Sequence, residues 1–300
     1  MVVRIERDIV FGRGRVGFSE PSGGMREMEL KLDAYLPETA TNQLPALIMA
    51  FGGAFHRGSK EDDTFRAGDD SDAAGTNTPV AEYCRLFAEL GMAAFSVQYR
   101  LAQSDPEPGT PLLSEPDRVP MSRINPVRIE LGLPPASPRV MAGVMEAAFD
   151  DVAASVRFIK AEAARFGVDR ERMVLGGFSA GGRCAMYVAF GKRIGVRGVV
   201  SISGPLVPAD CAAFLARDAE AQGLALPPLL MISGENDLDY VRAFNPEIHR
   251  QFMEAERAVA WSTVPHAGHF FPAQSATADG RSVFDVMRDS LHEWGCLPRQ

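Results

Sequence analysis

The hydrophobic pattern changes from alternating to continuous along the first part of the chain. Within residues 28–36, apolar side chains from Met28 to Ala34 alternate with charged ones. Alternation of this kind is typical of a strand with one face in water. Together with the strand-like segment 2–11, it predicts a half-exposed antiparallel hairpin.

Six later segments are predominantly apolar, as in strands that are covered on both faces. They are residues 46–51, 92–97, 173–175, 196–202, 229–232 and 258–264. Helical patterns lie between most of them, and the clearest covers about 138–166, with apolar residues every three or four positions. Ser137-Pro138 predicts its start and Gly167 its end. Strands that alternate with helices predict a mostly parallel sheet with helices on both faces.

Residues 102–138 interrupt this alternation, because they contain nine prolines and no sustained period. A long irregular insertion in a compact domain is usually functional, and this one predicts a lid or cover. Residues 208–223, between two strands, predict a second cover. Since the length of 300 residues fits one α/β domain, we expect residues 1–300 to form a single domain that carries these insertions.

The net charge of −8 argues against a nucleic acid or an anionic membrane as the main partner. No stretch reaches the ~20 apolar residues that span a membrane, and early charges interrupt any signal-peptide core. The four cysteines form no CxxC, which favours buried thiols in a reducing compartment over a disulfide or metal site. We therefore expect a cytoplasmic protein. A homo-oligomer is compatible with the sequence, which does not determine the oligomeric state.

Gly177-Phe-Ser179-Ala-Gly181 matches the pattern G-x-S-x-G. Alone the pattern is weak, but a strand precedes it and a helical stretch follows, as a nucleophile elbow requires. The glycines allow the turn, because side chains there would collide with the packed strand and helix. Ser179 is thus the predicted nucleophile.

A serine hydroxyl needs a base, and the base needs an acceptor that holds its ring. Two histidines, His266 and His269, follow the last predicted strand, at the edge of the sheet where ligands bind. The acceptor candidate is Asp237, after the strand 229–232. Asp239 and Glu235 are its alternatives, and all three acids give the chain order Ser, Asp/Glu, His.

Backbone N–H groups should bind the negative oxygen that forms during acyl transfer. Ala180 follows the nucleophile at a helix start, where the N–H groups are free. Gly53 and Ala54 lie in the glycine-rich loop after the strand 46–51, where the backbone can approach a substrate closely. These three residues form the predicted oxyanion hole.

An ordered set of motifs resembles the α/β-hydrolase esterases of the feruloyl-esterase-like and hormone-sensitive-lipase-like branches. Residues 32–37 look like their L-D-x-Y-x-P, 51–60 like H-G-G-A-W-x-x-G-x-K, 97–101 like V-x-Y-R-L and 177–182 like G-x-S-A-G-G. The resemblance runs from about residue 28 to 294. It implies the α/β-hydrolase fold, Asp237 as the acid and His269 rather than His266 as the base.

Two departures from the family are visible. Phe51 replaces the histidine that usually opens the oxyanion loop, so support for that loop must come from elsewhere. The insertion after Leu101 looks longer than usual. It contains Arg118, Arg123 and Arg128, with Arg139 directly after it, among several acidic residues, which favours a mixed solvated surface over contact with a substrate carboxylate.

These residues predict hydrolysis of a small-molecule carboxylic ester through an acyl-enzyme, without a metal or organic cofactor. Three other classes of protein are compatible with these residues. A serine amidase or peptidase uses the same residues but usually carries a large extra domain. A lactonase or carbon–carbon hydrolase uses the same fold for other bonds. A non-catalytic binding module would keep the pocket alone.

Overall fold

Eight strands form one sheet in the part of the chain that the structure, a computed structural model, describes: residues 1–19, 24–38, 43–66, 75–220 and 226–297. The strands are β1 (Val3–Val16), β2 (Arg26–Pro37), β3 (Leu44–Ala50), β4 (Ala93–Val97), β5 (Val168–Phe178), β6 (Gly198–Ile202), β7 (Leu229–Gly234) and β8 (Val259–Val264). Their order across the sheet is β1-β2-β4-β3-β5-β6-β7-β8.

The described helices alternate with these strands from β3 onward. They are α1 (Val80–Glu89), α2 (Ile124–Glu130), α3 (Pro138–Ala161), α4 (Ala163–Phe166), α5 (Ala180–Met186), α6 (Pro208–Glu220), α7 (Asp239–Glu254) and α8 (Val283–Glu293). Helix α5 continues into a π-helical turn at Tyr187–Gly191. Within the described ranges, none of these helices has the length and apolar character needed to cross a membrane.

Strand direction follows the two hydrophobic patterns. Strands β1 and β2 form the predicted antiparallel hairpin, and β2 also pairs antiparallel with β4. The predicted half-exposure is wrong for the second half of β2, because residues 32–37 are all buried. The remaining neighbours are parallel. Every residue of β4, β6 and β7 is buried, so both faces of the central sheet are covered. The prediction of a mostly parallel sheet is confirmed.

Strand β8 differs from the sequence prediction. Its apolar run predicts burial on both faces, but only Val264 is fully buried. The reason is position, because β8 is the edge strand and pairs with β7 alone.

The long helix α3 begins as predicted. The Ser137 side chain accepts a hydrogen bond from the Val140 N–H, and Pro138 occupies the first turn. The helical segment breaks at Glu162 into α3 and the short α4, which Gly167 ends in a left-handed conformation, with φ of 66°.

The insertion 102–138 lies over the carboxyl edge of the sheet, and we call residues 102–137 the cover. It contains two short 3₁₀ turns, Ala102–Ser104 and Pro116–Arg118, and helix α2. The Glu146 carboxylate on α3 accepts hydrogen bonds from the Leu112 and Leu113 N–H groups, at 2.7 and 3.0 Å. The cover is therefore fastened along α3.

The predicted second cover, 208–223, is only partly described. Residues 208–220 form α6, and residues 221–223 lie outside the described ranges. The α6 residues are absent from the described walls of the two cavities beside Ser179. Their role as a cover stays a prediction.

Candidate active site

Ser179 lies in a sharp turn between β5 and α5. Its backbone has φ of 52° and ψ of −114°, a strained conformation for a residue with a side chain. The Ser179 N–H donates to the Ile202 carbonyl at 2.7 Å. A Cβ added at Gly181 would lie 1.9 Å from the Ala50 oxygen, and one at Gly177 would lie 2.4 Å from the Gly181 backbone. The glycines of G-x-S-x-G are thus required by close packing, as predicted.

Three predicted side chains meet at the carboxyl edge of the sheet, although they come from different loops. The Ser179 hydroxyl is 2.8 Å from His269 Nε2. His269 Nδ1 is 2.6 Å from Asp237 Oδ1. The carboxylate fixes the tautomer with the proton on Nδ1, so Nε2 accepts from the serine hydroxyl. All three residues are buried, and the His269 ring packs against Phe178 and Phe270.

Asp237 is held by further donors that the motifs do not indicate. Its Oδ2 accepts from the Ser203 hydroxyl at 2.6 Å, and its Oδ1 accepts from the Leu238 N–H at 2.7 Å. These hydrogen bonds stabilise a buried carboxylate and set its orientation. Ser203 follows the end of β6 at the same sheet edge, and that position is the only sequence signal that could have found it.

The alternative acids and base lie at the surface. The His266 side chain is 94% exposed and lies 3.5 Å from Glu235, itself 55% exposed. The Asp239 side chain is 92% exposed and pairs with Arg242. The structure therefore brings His269 and Asp237, rather than these neighbours, to Ser179.

The predicted oxyanion residues surround Ser179. Gly53, Ala54 and Ser179 line one cavity, and Ala54, Ser179 and Ala180 line a second. Gly53 has φ of 119°, and a Cβ there would lie 1.9 Å from the Arg57 oxygen. Ala54 is also left-handed, with φ of 55°. The loop thus turns sharply beside the nucleophile, and Ala180 brings a free N–H from the first turn of α5.

Other residues support the oxyanion loop where the family has a histidine. The Phe51 ring stacks on Tyr99 with centroids 4.2 Å apart, and the Tyr99 hydroxyl donates to the Phe51 carbonyl at 2.9 Å. The buried Asp63 carboxylate accepts from the N–H groups of Gly52 and Val80, at 2.7 and 2.8 Å. Burial raises the pKa of Asp63 to about 6, although these N–H groups oppose the shift.

His56 connects the oxyanion loop to the cover. Its ring is fully buried. Nδ1 donates to the Ala54 carbonyl at 2.7 Å, while Nε2 accepts from Arg128 of α2 at 2.9 Å. Burial lowers the pKa of His56, and the charges of Arg128 and Arg57 lower it further. A neutral ring is consistent with both hydrogen bonds, which give His56 a structural role.

Two cavities meet at Ser179. The first has an empty volume of about 210 Å³, and the second one of about 390 Å³. Both are lined by Ala54, Arg123 and Ser179. Arg57 and three phenylalanines complete much of the first, while Arg183 and Tyr240 contribute to the second. A substrate carbonyl at Ser179 could therefore extend one part into each cavity.

The four arginines have different environments, and Arg139 lies in the first turn of α3 rather than in the cover. The side chains of Arg118 and Arg139 are 78% and 68% exposed and pair with nearby carboxylates. Arg128 instead contacts His56, and Arg123 is half-buried and lines both cavities. The interpretation as a mixed solvated surface is thus right for two of the four and wrong for Arg123. Sequence pattern does not separate Arg118, Arg123 and Arg128, because all three lie in the proline-rich insertion among acidic residues.

Lys60, which matches the lysine of the family motif, occupies the one carboxylate cluster with metal-like spacing among the described residues. Asp8, Asp33 and Glu61 form that cluster. The Lys60 ammonium donates to Asp33 at 2.7 Å, lies 3.2 Å from Asp8 and also contacts Glu61. Burial opposes its charge, but the carboxylates raise the pKa of Lys60. The Lys60 ammonium lies among the three carboxylates and offsets one of their charges, and Arg7 pairs with Asp33 at 3.1 Å. The cluster therefore holds the end of the oxyanion loop, at Lys60, against β1 and β2.

Comparison with known proteins gives consistent similarities. The BD-FAE family model matches residues 140–196, which include Ser179. A mouse protein, lysophospholipase-like protein 1, is 28% identical over 108 residues, which are 36% of this chain. The matched segment spans 44% of the length of that relative.

Solved structures of esterase 2 from Thermogutta terrifontis match nearly the whole chain. The form phosphorylated by paraoxon has a TM-score of 0.63 at 16% identity and covers 99% of this chain and 96% of that one. The apo form has a TM-score of 0.61 at 17% identity, with 98% and 96% covered. Similarity at this level of identity concerns the fold, so the chain has the α/β-hydrolase fold, and its sequence resembles the BD-FAE family.

Proposed function

We propose that the protein is a serine hydrolase that cleaves a small-molecule carboxylic ester. The observation that carries this proposal is the continuous hydrogen-bonded series from Ser179 through His269 to Asp237, at 2.8 and 2.6 Å. It ends at a serine between two cavities, so the hydroxyl is both activated and accessible to a substrate.

The first step transfers the acyl group to Ser179. His269 Nε2 takes the hydroxyl proton as Ser179 Oγ attacks the ester carbonyl. The carbonyl oxygen becomes negative, and the N–H groups of Gly53, Ala54 and Ala180 stabilise it. The carbon–oxygen bond to the alcohol then breaks, and the alcohol leaves with the proton from His269. The products are an acyl-enzyme and a free alcohol.

The second step returns the enzyme to its starting state. Water attacks the acyl carbonyl and gives a proton to His269, and the same N–H groups stabilise the oxyanion. The bond to Ser179 breaks, Oγ recovers its proton from His269, and the carboxylic acid leaves. Asp237 stabilises the imidazolium that forms in each step. These steps require no metal or organic cofactor.

The related structures suggest suitable probes. Esterase 2 of T. terrifontis is recorded phosphorylated by paraoxon and with propionate and butyrate bound. By analogy, we expect short acyl chains to be turned over here and organophosphates to modify Ser179.

Hydrolysis of p-nitrophenyl acetate, butyrate and octanoate tests the proposal. We expect turnover by the wild type and its loss in Ser179→Ala and His269→Ala. His266→Ala is the matched control, because His266 is exposed, and it should retain full activity. A folded wild type that neither hydrolyses these esters nor reacts with a phosphonate at Ser179 would contradict the proposal and favour a binding module.

The same kinetic measurements on substrates with other scissile bonds distinguish the proposed esterase from the other classes of hydrolase. Preferred turnover of anilides or peptides would indicate an amidase or peptidase. Preferred turnover of cyclic esters or diketones would indicate a lactonase or carbon–carbon hydrolase. The proposed assignment requires simple esters to be the better substrates.

We also propose a cytoplasmic location. The four cysteines, Cys84, Cys184, Cys211 and Cys296, are all buried and unpaired. Free thiols in this number are typical of proteins from reducing compartments. Fractionation of the source cells with an antibody against the chain would test the location.

A further inference from the structure

Two arginines beside Ser179 have charges that the proposed ester hydrolysis does not use. Arg183, in the first turn of α5, is only 5% exposed. Its Nε donates to the Pro205 carbonyl at 3.1 Å, and its guanidinium lies 5.5 Å from the Tyr240 ring centroid. Its Nη2 is buried without a hydrogen-bond partner. Among the described residues, no carboxylate forms an ion pair with Arg183.

Arg123 brings a second charge from the cover to the same cavity. It lines the cavity together with Arg183, Tyr240 and Ser179. Its guanidinium lies 5.8 Å from the Phe270 ring centroid, and it too lacks an ion pair with a described carboxylate. Burial and the like charge of Arg57 lower the pKa of Arg123. The two guanidinium groups are thus poorly compensated by the protein itself.

Such an arrangement is unfavourable unless a ligand completes it. A buried charge without a partner has lost water and gained little in return. Arginine is also the side chain best suited to bind a carboxylate through two parallel N–H groups. Pro120, Ile124 and Met145 give the cavity wall an apolar part, which is suited to contact a carbon chain between the ester and a terminal anion.

We propose that Arg183 and Arg123 form a carboxylate-binding subsite, and that the preferred substrate is an ester with a free carboxylate on one of its two parts. This inference rests on the proposed function, because it concerns the substrate of the same Ser179. The carboxylate would be bound beside the nucleophile, so its charge orients the ester without taking part in bond cleavage.

Two pairs of esters test the proposal and locate the anion. Monobenzyl glutarate is compared with benzyl hexanoate, which places the carboxylate on the acyl part. 4-Carboxybenzyl butyrate is compared with benzyl butyrate, which places it on the alcohol part. Chromatography of the released alcohols gives kcat/KM for each. We expect the wild type to prefer the anionic member of one pair at least tenfold.

Substitution of each arginine tests whether it causes the preference for anionic esters. In Arg123→Gln and Arg183→Gln, the anionic-to-neutral ratio of kcat/KM should fall at least tenfold, mainly through KM. Arg183→Lys should restore part of it, because the charge remains. Arg118→Gln is the matched control, since Arg118 is an exposed arginine of the same cover. Competitive inhibition of the wild type by glutarate, weakened by added salt, provides a measurement that needs no variant.

The outcomes separate the two proposals. If the wild type hydrolyses the neutral esters as well as the anionic ones in both pairs, the carboxylate subsite is overturned while the ester hydrolase stands. An unchanged ratio in folded Arg123→Gln and Arg183→Gln also overturns the subsite. If the wild type cleaves none of the esters and no phosphonate labels Ser179, the proposed function itself fails, and the subsite fails with it.

Discussion

The loops that carry Ser179, Asp237 and His269 differ from the cover in what holds them in place. The three loops continue directly from strands of the sheet and are held by backbone hydrogen bonds and close glycine packing, as between Gly181 and Ala50. The cover is held against neighbouring elements by side chains such as Glu146, His56 and Asp150, and by a few backbone hydrogen bonds such as that from the Gly109 N–H to the Gly143 carbonyl. The strands of the sheet therefore position one region, and contacts with α3, β1 and the oxyanion loop position the other.

This difference indicates that the loops carry out the proposed reaction, while the cover selects the substrate. Positions fixed by the sheet keep the nucleophile, base and acid within hydrogen-bond distance, which acyl transfer requires. The cover contributes Arg123 and part of the apolar wall, which line the cavity proposed to hold the rest of the substrate. We expect changes in the loops to lower the rate for every ester, and changes in the cover to alter selectivity or local stability.

The largest effect is expected at Asp237. Asp237→Asn should reduce kcat by about 10⁴-fold, because an amide favours the wrong tautomer of His269 and cannot stabilise the imidazolium. Steady-state kinetics on a short-chain p-nitrophenyl ester measures the loss. Asp239→Asn, two residues away and exposed, should have wild-type activity. Comparable losses in both variants would contradict the assignment of Asp237.

Gly53→Ala should give the next largest effect. The new Cβ would clash with the Arg57 carbonyl and displace the oxyanion donors, and losing one donor typically lowers kcat by roughly 10²- to 10³-fold. Gly280→Ala is a suitable control, because Gly280 also has a positive φ, of 85°, but has nothing within 4 Å of the added Cβ. Equal loss of activity in the two variants would show that backbone strain alone explains the result.

The third prediction concerns pH and Asp63 beneath the oxyanion loop. Its pKa is raised from 3.8 to about 6 in the folded chain, so the folded state holds the proton more tightly than the unfolded state. This contribution to stability is complete below about pH 4 and is lost as the pH rises through about 6. One pKa unit corresponds to about 1.4 kcal/mol. The free energy of unfolding of the wild type should therefore fall by about 3 kcal/mol, relative to that of Asp63→Asn, as the pH rises from below about 4 to above about 6.

Urea unfolding of both proteins between pH 4 and pH 7 measures this difference. Asp62→Asn should follow the wild-type profile, because Asp62 is exposed. Parallel profiles for the wild type and Asp63→Asn would show that burial does not shift this carboxyl.

The smallest effect is expected where the cover meets the oxyanion loop. Arg128→Gln removes the hydrogen bond to His56 and should lower the free energy of unfolding by about 1 kcal/mol. Amide hydrogen exchange should become faster in α2, residues 124–130, and remain unchanged in the loops that follow β5, β7 and β8. Arg118→Gln should alter neither quantity. Faster exchange around Ser179 in Arg128→Gln would show that the two regions are not independent.

Much of the sheet and the position of Ser179 could be predicted from local patterns. Apolar runs predict β3 to β7, and the glycines around Ser179 predict a tight turn, because both depend on neighbours in sequence. The edge position of β8 could not be predicted, since an apolar run is the same in the middle of a sheet and at its edge. The choice of His269 over His266 also depended on the family resemblance.

The side chains that surround the candidate site were harder to predict. Ser203 donates to Asp237 from a loop 34 residues away, and no motif connects them. Arg183 lies within a recognised motif region, but the sequence alone does not show that its guanidinium lacks a carboxylate partner. Arg123 and Arg118 have similar sequence surroundings and opposite environments. These are properties of packing between distant segments, which local patterns do not record.

Both ends of the cover are attached to one helix. Before the cover begins, Arg100 forms an ion pair with Asp151 of α3, at 2.8 Å, and the cover ends at Ser137, which caps the same helix. A segment with both ends on one rigid support can be exchanged as a unit while its attachment points stay in place. The cover is thus suited to replacement by protein engineering. Libraries that vary residues 102–137 could be screened for new ester selectivity while the sheet and its loops stay unchanged.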